Sequence, residues 1–541
     1  MTASVPAPGA SLRKDVEGGP PFSRLLVANR GEIALRIIRA CREMGISTVA
    51  VFSDADETSA HVRAADEAIR LGPAPATESY LRADRIIDAA LSSGAEAIHP
   101  GYGFLAERAS FAAGVAAAGL AFIGPDAATI ARLGDKLAAR RLAQQAGVPI
   151  VPGTLEAADV TAADRVAAIE AEAEQVGFPL LVKAAAGGGG RGMRRVDTAR
   201  ELPAALAAGS AEALAAFGDG AVYIERIVEP ARHIEVQLIA DRAGSVVALG
   251  ERDCSIQRRH QKLIEESPAP GLSDDERRDL HAMAVRLAAA AELENASTAE
   301  FLFDADRRFW FLEVNTRLQV EHGVTELVTD VDLVREQIRI AAGLPLSAAT
   351  VAAAAQAARP GRHAIEVRLS AEDPARGFAP APGRIGLWRM PGGPGVRVDA
   401  AIEEGDRVPP DYDPLIAKVM VVGPDRAAAI DRLRRALDEV EVTGVQTTLP
   451  FHRFVASAAS FRTAELSTGW VASAWDPHVR ELRDRALQEA AATAAAVARG
   501  EVSARDVTHA LAPGPASDPA AAERSPWRSS GRSRAIRRWP R

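Results

Sequence analysis

Short apolar runs alternate with helix-like segments through the first quarter of the chain. Arg24–Ala28 and Ser47–Phe52 have the apolar character of buried strands, and Ile33–Met44 between them repeats apolar residues at helical spacing. The alternation continues as far as Ile123. This order of elements predicts a parallel sheet with helices packed on its faces.

A glycine-rich turn, His99-Pro-Gly-Tyr-Gly-Phe104, follows the predicted strand Ala95–Ile98. It would lie at the carboxyl edge of the sheet, where open α/β sheets bind ligands. Tyr102 is therefore a candidate binding residue. The arrangement is Rossmann-like, but no G-x-G-x-x-G follows the first strand, which disfavours a dinucleotide site.

A second glycine-rich segment separates two further predicted strands. Phe178–Lys183 ends in a lysine, Ala184–Met193 contains five glycines, and Met193–Val196 forms the next strand. Glycines let backbone N–H groups approach phosphate oxygens closely, because no Cβ is in the way. The lysine precedes the glycines, so this is not a Walker A loop. A flexible linker is the alternative, but the flanking strands favour a hairpin that closes over a triphosphate.

An aromatic-rich segment predicts a β-hairpin whose second strand is Phe309–Asn315. Pairing Leu302 with Phe311 puts Glu300 opposite Glu313 on one face of this hairpin. Two carboxylates at that distance repel, and one of them resists ionisation unless a cation lies between them. Hard divalent cations such as Mg²⁺ bind carboxylate oxygens together with substrate phosphates. The pair is therefore a candidate metal site.

Polar and apolar residues continue to alternate beyond the hairpin. After Glu313, every second residue is polar: Asn315, Arg317, Gln319 and Glu321. In an extended backbone these four side chains and that of Glu313 would all face the same side. A sheet with one solvated face is the alternative, but acids, amides and a guanidinium beside a facing glutamate favour an active site for a metal and an anion.

Lysine is rare, because only five of the 64 basic residues are lysines. Arginine supplies generic positive charge throughout, so a remaining lysine indicates a site that needs a compact ammonium. The five are Lys14, Lys136, Lys183, Lys262 and Lys418. Chance is the alternative and accounts for Lys14 in the leader, whereas Lys136, Lys183 and Lys262 fall inside motifs.

The segment Glu251–Lys262 is too polar for a core strand and contains Gln257 and His260. A basic surface patch is the alternative interpretation. The rare lysine beside His260 favours a functional site instead.

Composition limits the classes of protein that are possible. The 541 residues predict several domains, with 48% hydrophobic and 25% charged residues. A net charge of −8 argues against a general nucleic-acid surface. The sequence contains no run of about 18 apolar residues, so it predicts no membrane span. Two cysteines, Cys41 and Cys254, are typical of a reducing cytoplasm and predict neither a disulfide framework nor a zinc site.

Taken together, these segments resemble biotin carboxylase, an ATP-grasp enzyme, and in particular the biotin-carboxylase part of acyl-CoA carboxylases. The resemblance covers about residues 24–470. Besides Lys183 and its glycines, it is carried by Ala28-Asn-Arg-Gly-Glu-Ile-Ala34, His99-Pro-Gly-Tyr-Gly-Phe104, Arg252-Asp-Cys-Ser255, Glu313-Val-Asn-Thr-Arg-Leu-Gln-Val-Glu-His322 and Tyr412-Asp-Pro-Leu-Ile-Ala-Lys418.

The resemblance implies an α/β and α+β multidomain fold. A Rossmann-like N-terminal domain is expected first, then an ATP-grasp domain with a glycine-rich lid, then a strand-rich C-terminal domain. The expected ranges are a disordered leader at 1–21, the N-terminal domain at 22–135, the ATP-grasp domain at 136–345 with its lid at about 153–225, the C-terminal domain at 360–470, and a helical stretch with a disordered basic tail at 471–541.

The resemblance also implies a reaction. ATP would phosphorylate bicarbonate to carboxyphosphate, which delivers CO₂ to the ureido nitrogen of biotin. The cofactors implied are ATP, Mg²⁺ or Mn²⁺, and biotin on a separate chain. The partners implied are a second copy of this chain, a biotin carboxyl carrier protein and a carboxyltransferase subunit, with no nucleic acid and no membrane.

No lysine follows Lys418, so the sequence predicts no biotinylated lysine near its end. The carrier is therefore expected on another chain. A truncated multidomain carboxylase remains an open alternative.

Site residues follow from the resemblance, position by position. Glu321 would be the general base for bicarbonate, and Arg368 would stabilise the biotin enolate. Bicarbonate and biotin would contact Tyr102, Lys262, Arg317, Gln319, Val320 and Arg368. The metal would be held by Glu300, Glu313 and Asn315. The nucleotide would contact Lys136, Lys183, Gly188, Gly189, Gly190, Arg191, Gly192, Met193, Glu225, Arg226, His233, Gln257 and His260.

Three positions depart from the family pattern. Ala186 replaces a further glycine, Arg226 replaces a common lysine, and Gly323 stands where proline usually follows the Glu-His pair. Arg226 matters little if the adenine contact is made by the backbone. Gly323 is expected to loosen the turn after the proposed base.

Two other classes of function stay in view. One is another ATP-grasp ligase that activates a carboxylate for attack by an amine. The other is a non-catalytic nucleotide-binding subunit, which would be expected to have lost a metal carboxylate or a phosphate-binding lysine. The pocket expected from Arg317, Gln319 and Glu321 together with Arg368 favours the carboxylation of biotin, because it suits a small carbonate and a ureido anion.

Overall fold

The computed structural model describes residues 19–160, 163–185 and 193–476, together with residues 494, 495 and 499. Most of the predicted leader, most of the tail, and the predicted phosphate-binding residues Gly188–Gly192 lie outside the described residues. No helix in the described part of the chain combines the length and the apolar character that crossing a bilayer requires.

The first part of the chain is a five-stranded parallel sheet with helices on its faces, as predicted. Strand β1 is central, between β2 and β4, and Leu25, Leu26 and Val27 are fully buried. The turn with Tyr102 follows β4 at the carboxyl edge. The strands are β1 Arg24–Val27, β2 Ser47–Ser53, β3 Glu67–Gly72, β4 Ala97–His99 and β5 Ala121–Phe122, and the helices are α1 Gly31–Glu43, α2 Ala60–Ala64, α3 Ala83–Ser92, α4 Ala109–Ala117 and α5 Ala127–Gly134.

A small antiparallel sheet follows, in the order β7-β6-β8. Lys183 lies near the end of β6, next to the glycine-rich segment, as the sequence predicts. The elements are α6 Lys136–Gln145, α7 Ala163–Val176, β6 Leu180–Ala184, β7 Arg194–Val196, α8 Leu202–Phe217 and β8 Val222–Arg226.

An eight-stranded antiparallel sheet carries most of the candidate site, in the order β13-β12-β9-β10-β11-β14-β21-β19. Strands from beyond residue 360 therefore extend the same sheet as those before residue 316, by way of the β11–β14 pairing. The strands from residue 231 onward are β9 Ala231–Ala240, β10 Val246–Arg258, β11 Gln261–Ser267, β12 Asn295–Asp304, β13 Phe309–Asn315, β14 His363–Ser370, β15 Glu372–Asp373, β16 Ala379–Pro380, β17 Gly383–Arg384, β18 Trp388–Arg389, β19 Val396–Ala400, β20 Arg407–Val408, β21 Leu415–Gly423 and β22 Glu441–Val442.

Helices cover the faces of this sheet. α10 packs on β10, β11, β14 and β21, so that the loop before it reaches the centre of the sheet. The remaining helices are α9 Asp274–Ala290, α10 His322–Thr329, α11 Leu333–Ala341, α12 Ala348–Gln356, α13 Arg426–Glu439, α14 Leu449–Ser457, α15 Ala459–Arg462 and α16 Trp470–Ala474.

The prediction that Glu251–Lys262 is too polar for a core strand is wrong. Most of the segment belongs to β10, and Glu251, Arg252 and Asp253 are buried. Each has a buried or half-buried partner of opposite charge; the Nε atom of Arg252, for example, lies 2.5 Å from the Oε1 atom of the buried Glu235. Buried charges are tolerated when they are paired and hydrogen-bonded.

The predicted hairpin is correct in its strands and wrong by one position in part of its register. Glu300 does face Glu313, but a β-bulge follows that pair, so Leu302 faces Trp310 instead of Phe311. A bulge places two residues of one strand opposite one residue of the other.

The predicted extended backbone beyond the hairpin is also wrong. The strand ends at Asn315, and residues 316–321 form an irregular loop that leads into α10. The polar side chains of this loop still converge on one site, because the loop folds back over the sheet.

Candidate active site

Two glutamates and an asparagine form the acidic end of the site. The Nδ2 atom of Asn315 donates to the Oε1 atom of Glu300 at 2.8 Å, and Glu313 faces Glu300 across the hairpin. Burial and the charge of Glu300 raise the pKa of Glu313. Repulsion between facing carboxylates is what the sequence predicted. A divalent cation fits this set of donors, because it would relieve the repulsion.

Lys262 is the centre of the charge network. Its Nζ atom lies 2.5 Å from the Oε2 atom of Glu235, 3.0 Å from the Oε1 atom of Glu300 and 2.6 Å from the Oε1 atom of Glu321. Burial opposes the charged ammonium, but the three carboxylates raise its pKa well above the ordinary value. Lys262 is therefore a fixed cation in the middle of the site.

Glu321 is completely buried and yet ionised. Burial disfavours its charge, but Lys262, Arg368 and Arg252 hold its pKa well below the ordinary value. It follows Arg317 and Gln319 along the loop and precedes α10. Glu321 therefore has unprotonated oxygens that could accept a proton from a bound acid, while the same cations that keep it ionised also make it a weaker base.

Arg317 is held in place by neighbouring groups. Its Nε atom donates to the Oε2 atom of Glu107 at 2.9 Å, and its Nη1 atom donates to the Oε1 atom of Gln319 at 2.9 Å. Gln319 in turn donates from Nε2 to the Oε1 atom of Glu300 at 3.2 Å. This chain of contacts positions one guanidinium next to the acidic end.

A cavity of about 490 Å³ opens beside these residues. Its lining includes Tyr102, Lys262, Arg317, Val320 and Arg368. The predicted residues for bicarbonate and biotin therefore meet at one cavity, with the exception of Gln319, which lies behind Arg317.

The Tyr102 hydroxyl donates to a carboxylate oxygen of Glu32. That carboxylate is also bound by Lys418, whose Nζ atom lies 3.2 Å from the Oε1 atom of Glu32. The Nζ atom of Lys418 also donates to the Val320 carbonyl at 2.9 Å. Lys418 therefore supports Tyr102 and Val320, two residues of the cavity wall, from the side away from the cavity.

Lys183 and Glu225 meet on the neighbouring small sheet. Their side chains form an ion pair, and the Nη1 atom of Arg140 lies 2.6 Å from the Oε1 atom of Glu225. Burial opposes ionisation of Glu225, but these two cations lower its pKa. The charge of Lys136 favours the ionised forms of both Glu225 and Glu313, although the pKa of Glu313 is raised overall by burial and by Glu300.

Three of the remaining nucleotide candidates, His233, Gln257 and His260, lie on β9, on β10 and in the turn after β10. The Nε2 atom of His233 lies 2.9 Å from the Oε2 atom of Glu300. Burial works against a charge on this ring, but Glu300 raises its pKa above the ordinary value. Gln257 is buried near the end of β10, whereas His260 is exposed in the following turn with a φ of 65°.

Arg226 stacks over the Trp310 ring, with its Cζ atom 5.8 Å from the ring centroid. Met193 is half-buried just before β7. The predicted phosphate-binding residues Gly188, Gly189, Gly190, Arg191 and Gly192 lie outside the described residues.

Gly323 does not loosen the turn after the proposed base. It lies in the first turn of α10, and a Cβ atom there would be 2.3 Å from the Sδ atom of Met420. Met420 is fully buried and fills the space beside Gly323. The Met420 side chain, which reaches Gly323 from β21, therefore leaves no room for a Cβ atom unless that side chain moves.

Four residues of the site were missed by the sequence analysis: Glu107, Arg140, Glu235 and Arg252. Glu235 carries a usable signal, because His233, Glu235 and Gln237 alternate with apolar residues along β9, as they would on one polar face. Glu107 and Arg140 carry no such pattern, since each reaches the site from another part of the fold.

Three family models match the sequence in succession. "Biotin carboxylase, N-terminal domain" matches residues 21–130, "Carbamoyl-phosphate synthase L chain, ATP binding domain" matches residues 135–349, and "Biotin carboxylase C-terminal domain" matches residues 366–473. A protein of Nostoc sp. named biotin carboxylase is 49% identical over 83% of this chain and 98% of its own length. The chain belongs to the biotin carboxylase family. The two flanking models separate it from carbamoyl-phosphate synthases, which share the central ATP-binding domain.

Solved structures of the biotin carboxylase family have the same fold. A Campylobacter jejuni biotin carboxylase in complex with β-γ-ATP covers 84% of this chain with a TM-score of 0.79 and 42% identity. The biotin carboxylase domain dimer of Hydrogenobacter thermophilus 2-oxoglutarate carboxylase, with MgADP and bicarbonate, has a TM-score of 0.79 and 43% identity. These matches span 99% and 97% of those chains.

A relative that is named as a subunit of a different carboxylase is similar to nearly the same degree. A pyruvate carboxylase subunit from Methanothermobacter thermautotrophicus is 48% identical over 83% of this chain and 89% of its own length. Membership of the biotin carboxylase family establishes an ATP-dependent ligase that carboxylates biotin. It leaves the final acceptor of the carboxyl group open.

Proposed function

We propose that this chain carboxylates biotin on a separate carrier protein, as the first half-reaction of an acyl-CoA carboxylase of the acetyl- or propionyl-CoA type. The observation that carries the reaction is the buried, ionised Glu321, which is held between the cavity-lining residues Lys262 and Arg368. Glu321 can act as a base there, and Lys262 and Arg368 can offset negative charge. This arrangement suits bicarbonate, which loses a proton and gains negative charge.

In the first step, Glu321 takes the proton of bicarbonate, while Lys262 and Arg317 hold the anion in the cavity. Bicarbonate oxygen then attacks the γ-phosphorus of ATP, and ADP leaves, which forms carboxyphosphate. Lys136 and Lys183 offset the phosphate charge during this transfer, in which positioning and electrostatics supply most of the catalysis. Mg²⁺ bound at Glu300 and Glu313 would neutralise further phosphate charge.

In the second step, carboxyphosphate breaks down to CO₂ and phosphate, and the ureido nitrogen of biotin attacks the CO₂. Negative charge forms on the ureido oxygen when the phosphate released from carboxyphosphate takes the proton of that nitrogen. Arg368 faces the cavity and can stabilise this charge. Tyr102 would pack against the biotin ring.

The partners are proposals of the same kind. A carboxyl carrier protein would present biotin, a carboxyltransferase subunit would use the product, and two copies of this chain would form a dimer, as in the Hydrogenobacter thermophilus domain. A cytoplasmic location agrees with the two free, buried cysteines. The pyruvate carboxylase relative favours a keto acid as the alternative acceptor.

The test is ATP cleavage by the purified chain, with bicarbonate and free biotin supplied or omitted. We expect cleavage to require Mg²⁺ and bicarbonate and to be accelerated by biotin, and we expect no CoA ester to be carboxylated by the chain alone. An ATPase activity that depends on an amine and ignores biotin would contradict the proposal.

A further inference from the structure

Arg368 lies between two buried carboxylates at the inner end of the cavity. Its Nε atom donates to the Oε1 atom of Glu265 at 2.6 Å, and its Nη2 atom donates to the Oε2 atom of Glu321 at 2.9 Å. Both carboxylate side chains are 0% exposed, whereas 18% of the Arg368 side chain is exposed. The guanidinium is therefore anchored twice on its buried side and open towards the cavity.

The two anchors differ in origin. Glu265 and Arg368 lie on the adjacent strands β11 and β14, where Ile264 faces Val367. The contact of Glu265 with Nε is therefore built into the register of the sheet. Glu321 ends the irregular loop before α10, and it holds the tip of the guanidinium at Nη2.

Proton uptake by Glu321 changes only one of these anchors. When Glu321 accepts the proton of bicarbonate, its charge disappears and its ion pair with Nη2 weakens. A largely buried guanidinium that lost every anionic partner would be costly. Glu265 prevents that loss by keeping Nε in place, and the tip is then free to turn towards new negative charge in the cavity.

We propose that Glu265 is the positioning residue that holds Arg368 at the cavity while Glu321 is protonated, so that the same arginine can next stabilise the biotin enolate. This inference rests on the proposed roles of Glu321 and Arg368. It adds a residue on which the second step depends and the first does not.

Several charged or titratable groups surround Glu265. They are Lys262 on its own strand, Arg368 and Glu366 on β14, Cys254 on β10, Glu321 before α10, and Lys418 on β21 beside Glu366. Burial raises the pKa of Glu265 to about 7; Arg368 and Lys262 oppose this rise, and Glu321 adds to it. Glu265 is therefore ionised above that pH.

Glu366 offers a matched control. It faces Glu265 directly across the β11–β14 pair and is 0% exposed. Burial raises its pKa well above the ordinary value despite Lys418. Neither of its carboxylate oxygens has a hydrogen-bond partner among the described residues. Glu366→Gln thus removes a buried acid from the same place without removing either hydrogen bond from Arg368 to a carboxylate.

The experiment compares Glu265→Gln, Glu265→Asp and Glu366→Gln with the unchanged chain at about pH 8, where Glu265 is ionised. Two rates are measured for each protein: bicarbonate-dependent ATP cleavage without biotin, and trapped carboxybiotin with free biotin. We expect Glu265→Gln to lower carboxybiotin formation roughly tenfold to a hundredfold, because it loses a charge-assisted hydrogen bond. ATP cleavage without biotin should change by less than about threefold.

Glu265→Asp keeps the charge and should recover part of the carboxybiotin formation that Glu265→Gln loses. If Glu265 had only a structural role, its replacement would change ATP cleavage and carboxybiotin formation together. Glu366→Gln should change neither rate by more than about threefold. If Glu265→Gln folds poorly, the Glu265→Asp chain carries the same test through its ratio of ATP cleaved to carboxybiotin formed. That ratio should exceed the unchanged chain's.

Two results would overturn the positioning role. One is an unchanged ratio in both Glu265 variants, and the other is a loss of both rates in equal proportion. If the unchanged chain forms no carboxybiotin at all, the proposed function itself fails, and the role of Glu265 fails with it. The two failures are therefore distinguishable.

Discussion

Glu321 and Arg368 touch each other, and this contact affects how their roles can be separated. Replacing Arg368 removes one of the cations that keep the pKa of Glu321 low, but Lys262 has the larger effect and remains 2.6 Å away. The base should therefore stay ionised in an Arg368 variant. An Arg368 variant can therefore show whether carboxybiotin formation is lost while ATP cleavage continues.

We expect Glu321→Gln to suppress both bicarbonate-dependent ATP cleavage and carboxybiotin formation by about 10²–10⁴-fold, because a general base is lost. Arg368→Gln should abolish carboxybiotin but spare part of the ATP cleavage, since carboxyphosphate can still form and decay. Phosphate release and trapped carboxybiotin, measured for both variants at saturating ATP, check this. Loss of the two activities in equal proportion in both variants would contradict the division of roles.

The acidic pair is best tested at Glu313. Glu300 also binds Lys262 and His233, so its replacement would disturb the centre of the site. We expect Glu313→Gln to raise the Mg²⁺ concentration for half-maximal ATP cleavage by roughly tenfold or more. The fold should survive, because the change removes repulsion from Glu300. Asp306→Asn, in the exposed turn of the same hairpin, is the control, and an unaltered Mg²⁺ requirement in Glu313→Gln would show that the pair does not hold the metal.

Individual residues could be predicted where they recur at a spacing or belong to a motif. Glu300 and Glu313 follow from pairing two strands, and Lys262 follows from the scarcity of lysine. Glu107 could not be found in this way, because it reaches Arg317 across 210 positions of sequence. Such contacts depend on how distant elements pack.

At the scale of elements, the main errors share one cause. The strand β10 carries buried charges that look like a surface segment until Glu235 and Arg232 are placed beside it. The bulge in the acidic hairpin changes a register that simple alternation cannot resolve. Local patterns predicted strands and helices well wherever one face is apolar, and less well where partners on other strands neutralise polar side chains.

The fit between α10 and β21 gives a stability prediction. A Cβ atom at Gly323 would lie 2.3 Å from the Sδ atom of Met420, in a fully buried place. Overpacking costs about 1–3 kcal/mol, against about 1 kcal/mol gained when alanine replaces glycine in a helix. We expect Gly323→Ala to lower the free energy of unfolding by about 1 kcal/mol.

A double-mutant cycle measured by denaturant unfolding checks this explanation. Met420→Val alone should be mildly destabilising, and the combination with Gly323→Ala should recover most of the loss, because valine leaves room for the new methyl group. Additive effects of the two changes would show that Met420 is not the reason for the glycine.

At the scale of the whole molecule, the sequence predicted the order of the folded regions along the chain. It did not predict that strands from two of them form one sheet. The parallel sheet and the acidic hairpin are present as expected. The strands after residue 360 nevertheless join the sheet of the ATP-binding part, which brings Arg368 next to Glu265 and Glu321. A pairing between strands about 100 positions apart leaves no local signal in the sequence.

The distribution of lysines leads to a prediction about the carrier. A lysine that accepts biotin must be reached by a biotin ligase, but Lys418 is 0% exposed and holds Glu32 and the Val320 carbonyl. Lys183 and Lys262 are engaged in ion pairs within the site. Lys136 lies beside the same site, and Lys14 lies outside the described residues.

We therefore expect the chain, expressed with an active biotin ligase, to give no band on a streptavidin blot. A separate biotin carboxyl carrier protein expressed in the same cells should give a strong band, which confirms that the ligase works. Adding that biotinylated carrier to the purified chain should accelerate ATP cleavage more than the same concentration of free biotin, because the carrier surface adds binding energy to that of the ring. A streptavidin band from the chain itself would contradict the separate carrier, and Lys14→Arg would then show whether the acceptor is the one lysine outside the site.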